Sequence, residues 1–275
     1  MKDWNIEKLC GILDNCGKIA LKHYAHPAYE FKKDKSVVTA ADKEIENYLA
    51  GIFSVPEESS FMIGEESSDS LSEEYINSAL DETCWIVDPI DGTAPYSNRI
   101  PVWGTSIAVA RSGIIEEGAI YVPVLKEFII SDGSDVFYTD SFDGTAASLK
   151  KFNFMPFEFD AKGIISISQL LAKQGGINMP NTVQAISSCV YSFTSMALGR
   201  YAAYVVKAKI WDIAAGWAIL SKLGFSSITE SGGALPISIE GPCAKGPGRW
   251  AMPEHAVIAY GMENACNVMK TLRFH

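Results

Sequence analysis

Residues 85–93 read Trp-Ile-Val-Asp-Pro-Ile-Asp-Gly-Thr, an apolar stretch that ends in two carboxylates, Asp88 and Asp91. An apolar strand delivers its terminal acid to the edge of a core, and Pro89 and Gly92 turn the backbone so that the second acid can face the first. Two fixed carboxylates beside turned backbone suit a hard cation. A helix starting at Gly92 and Thr93 would aim unpaired N–H groups at the same spot and hold phosphate oxygens there. Cation and phosphate would then meet.

Two distant segments can complete the cluster. Phe61 to Glu66 is another short apolar run ending in acids, and Ile210 to Gly216 places Asp212 where an amphipathic helix starts. Ligands that are all oxygen favour Mg²⁺ or Mn²⁺ over zinc, which prefers nitrogen and sulfur. The chain carries neither an HExxH motif nor paired CxxC motifs. Plainer roles compete at each position. Asp88 and Asp91 could form an ordinary turn, and Asp212 could cap its helix. Glu65 and Glu66, adjacent on an extended segment, point in opposite directions, so only one reaches the first ion.

Gly64-Glu65-Glu66-Ser67, Asp88-Pro89-Ile90-Asp91-Gly92-Thr93 and Trp211-Asp212-Ile213-Ala214-Ala215-Gly216 resemble, in order and separation, the three signatures of the inositol monophosphatase family of Mg²⁺-dependent phosphatases. The likeness extends over nearly the whole chain. It implies one Mg²⁺ held by Glu65, Asp88 and the Ile90 carbonyl, and a second held by Asp88, Asp91 and Asp212. A third, weaker ion near Glu65 would have mostly water ligands, and Mn²⁺ could substitute. The amides of Gly92 and Thr93 would hold the substrate phosphate.

The resemblance also gives Thr93 and Asp42, the latter in Val38-Thr39-Ala40-Ala41-Asp42, the task of orienting the attacking water. A hydroxyl that accepts from water and donates to a carboxylate suits it. A capping box of Thr39 and Asp42 is the competing reading of the same spacing. A lysine among Lys32, Lys33 and Lys35 is expected to steady the metal-binding loop, although a short lysine run is also an ordinary solvated face.

The elements that must position these residues follow from periodicity. Leu9, Ile12, Leu13, Cys16, Ile19 and Ala20 recur at helical spacing, and a second helix follows Thr39 with Ile45, Leu49, Ile52 and Phe53 on one face. Residues 67–74 look like an exposed loop. Strand patterns at 105–110, 114–122, 128–131 and 136–139, joined by short turns, indicate an antiparallel sheet.

Further on, 163–168, 182–187, 225–229 and 256–260 read as strands, and 191–198, 211–223 and 262–272 as helices, with Gly224 a helix stop. Residues 232–253, rich in Gly and Pro, read as an irregular surface segment. This mixture of α and β fits the layered α-β-α-β-α sandwich that the resemblance implies, with an antiparallel sheet in the first half and a smaller sheet in the second. The expected division is 1–150, carrying most metal ligands, and 151–275, carrying Asp212 and the specificity residues.

At 275 residues and 48% hydrophobic, the chain can bury a substantial core. A net charge of −10 without a dense basic cluster argues against a nucleic-acid polymer or an anionic membrane as partner. It does not exclude an anionic substrate, because bound metal ions reverse the local field. Cysteines at 10, 16, 84, 189, 243 and 266 lack framework spacing and read as reduced thiols of a cytoplasmic protein. The start of the chain does not read as a signal peptide, and no segment approaches transmembrane length. His23, His26, His255 and His275 form no constellation and read as helix-end or surface residues. A second Asp-Gly-Thr, at 143–145, reads as a turn.

The expected activity is Mg²⁺-dependent hydrolysis of a small phosphate monoester by metal-activated water, with no phosphoenzyme. The resemblance makes a homodimer and sensitivity to lithium further expectations. Substrate choice departs from the inositol pattern. Ser187-Ser188-Cys189-Val190, Tyr201-Ala202 and Val205-Val206 stand where inositol-type members carry Gly-Ser-Ala-Ala, an Asp and a polyol-binding Glu, and valine cannot accept a hydroxyl hydrogen bond. Pro101-Val102-Trp103-Gly104-Thr105 is similar to a segment of histidinol phosphatases, although its aromatic could be core. A sugar or nucleotide bisphosphate would need a basic pocket, to which Arg200, Lys207 and Lys209 could contribute. The reading from another class is a non-catalytic protein that binds a phosphorylated metabolite or has a regulatory role on the same scaffold.

Overall fold

The computed structural model describes residues 1–32, 37–156, 158–236, 238–239 and 249–274. Helix α1 (Ile6–Tyr24) begins on Asn5, whose side chain accepts the Lys8 amide, and α2 (Ala40–Phe53) begins on Thr39. A hairpin of β1 (Tyr29–Phe31) and β2 (Val37–Thr39) joins them. The apolar stripes of both helices, including Leu9, Leu13, Ile45 and Phe53, pack on Trp85, Ile107 and Phe128 of a seven-stranded sheet.

That sheet has the order β3 (Ser60–Gly64), β4 (Thr83–Asp91), β5 (Gly104–Arg111), β6 (Ile114–Val122), β7 (Glu127–Asp132), β8 (Asp135–Thr139) and β9 (Lys150–Lys151). Helix α3 (Glu73–Asp81) separates β3 from β4, and the short α4 (Thr93–Ser97) follows β4. From β4 onward every neighbouring pair is antiparallel, as the turn spacing predicts. β3 departs from that expectation by running parallel to β4, because the α3 crossover carries the chain back before it re-enters the sheet.

The second half adds β10 (Ile164–Ile167), α5 (Gln169–Gln174), β11 (Gly175–Ile177), β12 (Val183–Gln184), α6 (Cys189–Ala197), β13 (Tyr201–Val206), α7 (Ile210–Lys222), β14 (Phe225–Thr229), β15 (Ala256–Tyr260), α8 (Met262–Met269) and β16 (Leu272–Phe274). Its main sheet has the order β12-β10-β13-β15-β14. Helices α6 and α7 lie between the two sheets: Phe193, Trp211 and Leu220 share one core with Ile86 and Ile120 on one side and Tyr204 and Ile258 on the other. Helix α8 covers the far face, with Ala265 and Val268 against Val205 and Val257. The layers are therefore α-β-α-β-α, and α7 lies close on the larger sheet. A Cβ added to Gly118 of β6 would come within 2.2 Å of the Ala215 carbonyl oxygen.

Three local readings are corrected. The last helix stops at Met269, and Leu272–Phe274 pairs antiparallel with Gly175–Ile177 instead of extending it. The strand expected at 182–187 shrinks to Val183–Gln184, because Ser187 adopts a φ of +63° on the way into α6. His255 is buried, not a surface residue. Gly224, at φ +84°, follows the end of α7 as expected. Cys10, Cys16 and Cys84 are buried free thiols, Cys189 and Cys266 are half-buried, and Cys243 lies outside the described residues. Among the described residues no helix is long and apolar enough to cross a membrane.

Candidate active site

The centre of the site is a defect in β4. On an unbroken strand, positions three apart face opposite sides of the sheet. Here Asp88 pairs with Ser106 and Asp91 with Gly104, so Pro89 and Ile90 together oppose the single residue Thr105. The extra residue is a β-bulge, which re-aims the side chain that follows it, and Asp91 rejoins Asp88. The Thr105 hydroxyl donates to the Pro89 carbonyl at 2.8 Å and pins the bulge. Gly92, at φ +85°, then turns the chain into α4.

Asp212 arrives from the first turn of α7, where its Oδ2 accepts the Lys209 amide at 2.8 Å. Carboxylate oxygens of Asp88, Asp91 and Asp212 all lie within 4.8 Å of one another. Asp91 is held by the start of α6, its Oδ2 accepting the Ser188 hydroxyl at 2.5 Å and the Val190 amide at 2.9 Å. Among the described residues neither Asp88 oxygen receives a hydrogen bond.

Such a cluster resists ionisation on its own. Burial first, and then the charge of Glu65, push Asp88 far up. Burial and Asp212 raise Asp91 to about 7, and burial and Glu65 raise Asp212 to about 6. Buried like charges with orphaned oxygens are stabilised by a cation. The all-oxygen donor set fits a hard divalent ion.

Glu65, Ile90, Gly92 and Thr93 line the same cavity of about 360 Å³. Glu65 stands outside the tight triad and is engaged by Lys32, whose ammonium lies 3.1 Å from Glu65 and 2.7 Å from Glu66. Burial works against the Lys32 charge, but the two carboxylates outweigh it and push the ammonium up. Of the three candidate lysines Lys32 makes this contact, while Lys33 and Lys35 lie outside the described residues.

Asp42 is fully buried but does not line the cavity. It forms the capping box with Thr39, Oδ2 accepting both the amide and the hydroxyl, while Oδ1 has no partner among the described residues. Burial raises it to about 7 against those hydrogen bonds. The Thr93 hydroxyl donates to the Ile90 carbonyl at 3.1 Å, not to Asp42.

Two contributors escaped the sequence reading. Glu46, one turn after Asp42 and also buried, accepts the amides of Glu66 at 2.8 Å and Ser67 at 2.7 Å and so shapes the turn after Glu65. Gly64 makes room for it, since a Cβ there would meet the Glu46 carboxylate at 2.6 Å. An acid four residues from Asp42, beside the apolar stripe of α2, was the available signal. Tyr204 is the other. Val205 and Val206 are both buried in core, and Tyr204 lines the cavity instead, its hydroxyl 3.0 Å from the Cys189 thiol.

The remaining candidates separate cleanly. Arg200 makes a two-pronged pair with Glu127, and Lys209 lies 5.0 Å over the Trp211 ring. Only Lys207 of the three cations lines the cavity. Trp103 is core, packed on Tyr24 and Tyr96. Asp143 accepts the Thr145 amide and hydroxyl, an ordinary turn. His23 pairs with Glu44 at the end of α1.

A sequence model described as the inositol monophosphatase family matches residues 5–261. The chain belongs to the inositol monophosphatase family. An inositol monophosphatase of Dictyostelium discoideum is 26% identical over 244 residues, 84% of this chain and 86% of that protein. A histidinol-phosphatase of Chlorobaculum parvum is 28% identical over 133 residues, 47% of this chain and 49% of that protein. The fold is shared with a crystal structure of an IMPase/NADP phosphatase complexed with Mg²⁺ and phosphate, at 20% identity and a TM-score of 0.72, covering 96% of this chain and 93% of that one. Family and fold are those of an enzyme, a phosphoric monoester hydrolase of the inositol monophosphatase type.

Proposed function

We propose that this family member hydrolyses a small-molecule phosphate monoester with Mg²⁺, Mn²⁺ being able to substitute, and that Asp88 bridges two ions. The observation that carries this reading is the close triad of buried Asp88 and Asp91 with half-buried Asp212, both Asp88 oxygens lacking a donor among the described residues. Asp88, Glu65 and the Ile90 carbonyl would hold one ion, and Asp88, Asp91 and Asp212 the other. A third, weaker ion would sit near Glu65. When bound, such ions acidify water, neutralise phosphoryl oxygens and stabilise the departing alkoxide.

The chain itself does the positioning. First-turn amides of a helix have no intrahelical partner, and those around Gly92 and Thr93, residues that line the same cavity as the acids, would hold the phosphate. Thr93 would orient the attacking water by donating to Asp42 in place of Ile90, and the free Oδ1 of Asp42 supports this second role beside its cap. The leaving group would meet the Tyr204 hydroxyl and the Cys189 thiol where a polyol-binding glutamate is absent. This favours a substrate other than inositol phosphate, and histidinol phosphate and nucleotide 3′-phosphates are the first alternatives. We place the enzyme in the cytoplasm as a homodimer, consistent with its acidic balance and family.

The test is phosphate release from inositol, histidinol and nucleotide 3′-phosphates with Mg²⁺ or EDTA, for the wild type and Asp88→Asn. Mg²⁺-dependent release that Asp88→Asn abolishes is expected. Calorimetric Mg²⁺ binding without turnover of any monoester would instead support a phosphometabolite-binding protein.

A further inference from the structure

Beyond the metal acids lies a second cavity of about 160 Å³, between α5 and the ends of β14 and β15. Lys207, just after β13, lines both this cavity and the first. Resting on the phosphatase reading above, we propose that this second cavity binds a further anionic group on the substrate's leaving portion, gripped by Lys207 and His255. The substrate class is then a phosphate monoester carrying a second phosphate.

His255, immediately before β15, is more than nine-tenths buried and lines this cavity. Its backbone amide and its Nδ1 both engage Glu230 Oε1 at 2.7 Å, and its ring stacks on Phe274 with centroids 4.8 Å apart. One edge of the ring is thus fixed, while Nε2 is buried without a partner among the described residues. Buried polar atoms are nearly always paired, and one that is not needs a specific explanation. Here the explanation is a ligand.

Lys207 makes no side-chain hydrogen bond or salt bridge among the described residues, unlike Arg200, which pairs with Glu127, although its charge also acts on Glu254. Glu230 also lines the cavity and is the group that opposes an anion, but it is already committed to His255 through two donors. Gln174 adds amide donors and Leu170 an apolar wall. Because Nδ1–H is given to Glu230, His255 Nε2 can donate only from the doubly protonated ring, a form that two flanking anions favour. That imidazolium, the Lys207 ammonium and the Gln174 amide would then form charge-assisted hydrogen bonds to phosphate oxygens.

The experiment separates this subsite from the metal site. In EDTA the clustered acids repel phosphate, so binding of inorganic phosphate to the metal-free protein, followed by ³¹P NMR, reports the second cavity. Wild type is expected to bind, and Lys207→Met and His255→Phe, the latter keeping an aromatic against Phe274, to bind at least about tenfold more weakly. Circular dichroism melting checks the fold, and Lys207→Met, at a half-buried position, decides the matter if His255→Phe does not fold. No binding by wild type at about 50 mM phosphate, or unchanged binding by Lys207→Met, overturns the proposal. With Mg²⁺ present, Lys207→Met should lower kcat/KM about tenfold more for a nucleoside 3′,5′-bisphosphate than for the 3′-monophosphate, since Lys207 also borders the first cavity. Equal losses on both would also overturn it. Failure of Mg²⁺-dependent turnover on every ester, with phosphate still bound in EDTA, would remove the phosphatase reading and leave the anion site standing.

Discussion

Replacing Asp88 by Asn should make the metal-free protein more stable at neutral pH while destroying its affinity for divalent ions. Asp88 is buried, has no donor for either oxygen among the described residues, and feels the charges of Glu65, Asp91 and Asp212. In the folded state Asp91 sits at about 7 and Asp212 at about 6, against about 4 for an aspartate in an unfolded chain. A carboxyl raised on folding binds more protons in the native than in the unfolded chain, so stability falls as pH rises from the unfolded value through the folded one. The window here is about pH 4 to 7.

A tenfold change in a group's proton affinity corresponds to about 1.4 kcal/mol, so the cluster costs on the order of several kcal/mol once fully ionised without a cation. The groups share protons, so their individual costs do not add. Asn removes the charge that the other acids oppose and should restore about 1–3 kcal/mol at pH 8, or roughly 2–5 °C in Tm for a chain of this size. Scanning calorimetry in EDTA should therefore show wild-type Tm falling between about pH 4 and 7 and rising again with Mg²⁺, with Asp88→Asn flatter and insensitive to Mg²⁺. A wild-type Tm that holds or rises across that window in EDTA, or an Asp88→Asn protein less stable than wild type at pH 8, would refute the electrostatic account.

Glu46→Gln should weaken Mg²⁺ binding about 10- to 100-fold by loosening the turn after Glu65, read by calorimetry, while kcat at saturating Mg²⁺ changes little. Ser188→Ala removes both a donor to Asp91 and the α6 cap. It should cost about 1 kcal/mol in urea unfolding with Mg²⁺ present and raise the Mg²⁺ concentration needed for half-maximal activity. Thr105→Val leaves the Pro89 carbonyl without its hydroxyl donor. About 1–3 kcal/mol of stability should be lost, and with it the Mg²⁺ affinity that depends on the bulge. Gly118→Ala should be among the most destabilising single changes, by more than about 3 kcal/mol in denaturant titration, since the Ala215 backbone cannot withdraw without moving Asp212.

The sequence by itself determined the candidate acids and most of the elements. Apolar periodicity marks α1, α2, α7 and the β5–β8 meander, because burial of one face leaves a periodic trace in the chain. The acids at 65, 88, 91 and 212 stand out because each ends or begins an apolar element. Only the tertiary structure decided how they meet. The bulge at Pro89 and Ile90 turns Asp91 toward Asp88, and its pinning residue, Thr105, belongs to the neighbouring strand. The parallel β3, the tie between Lys32 and Glu65, and the presentation of Tyr204 to the cavity in place of Val205 all depend on partners remote in the chain. The buried His255 was invisible for the same reason: a lone histidine carries no periodic signal, and Glu230 and Phe274 surround it only after β14, β15 and β16 have come together.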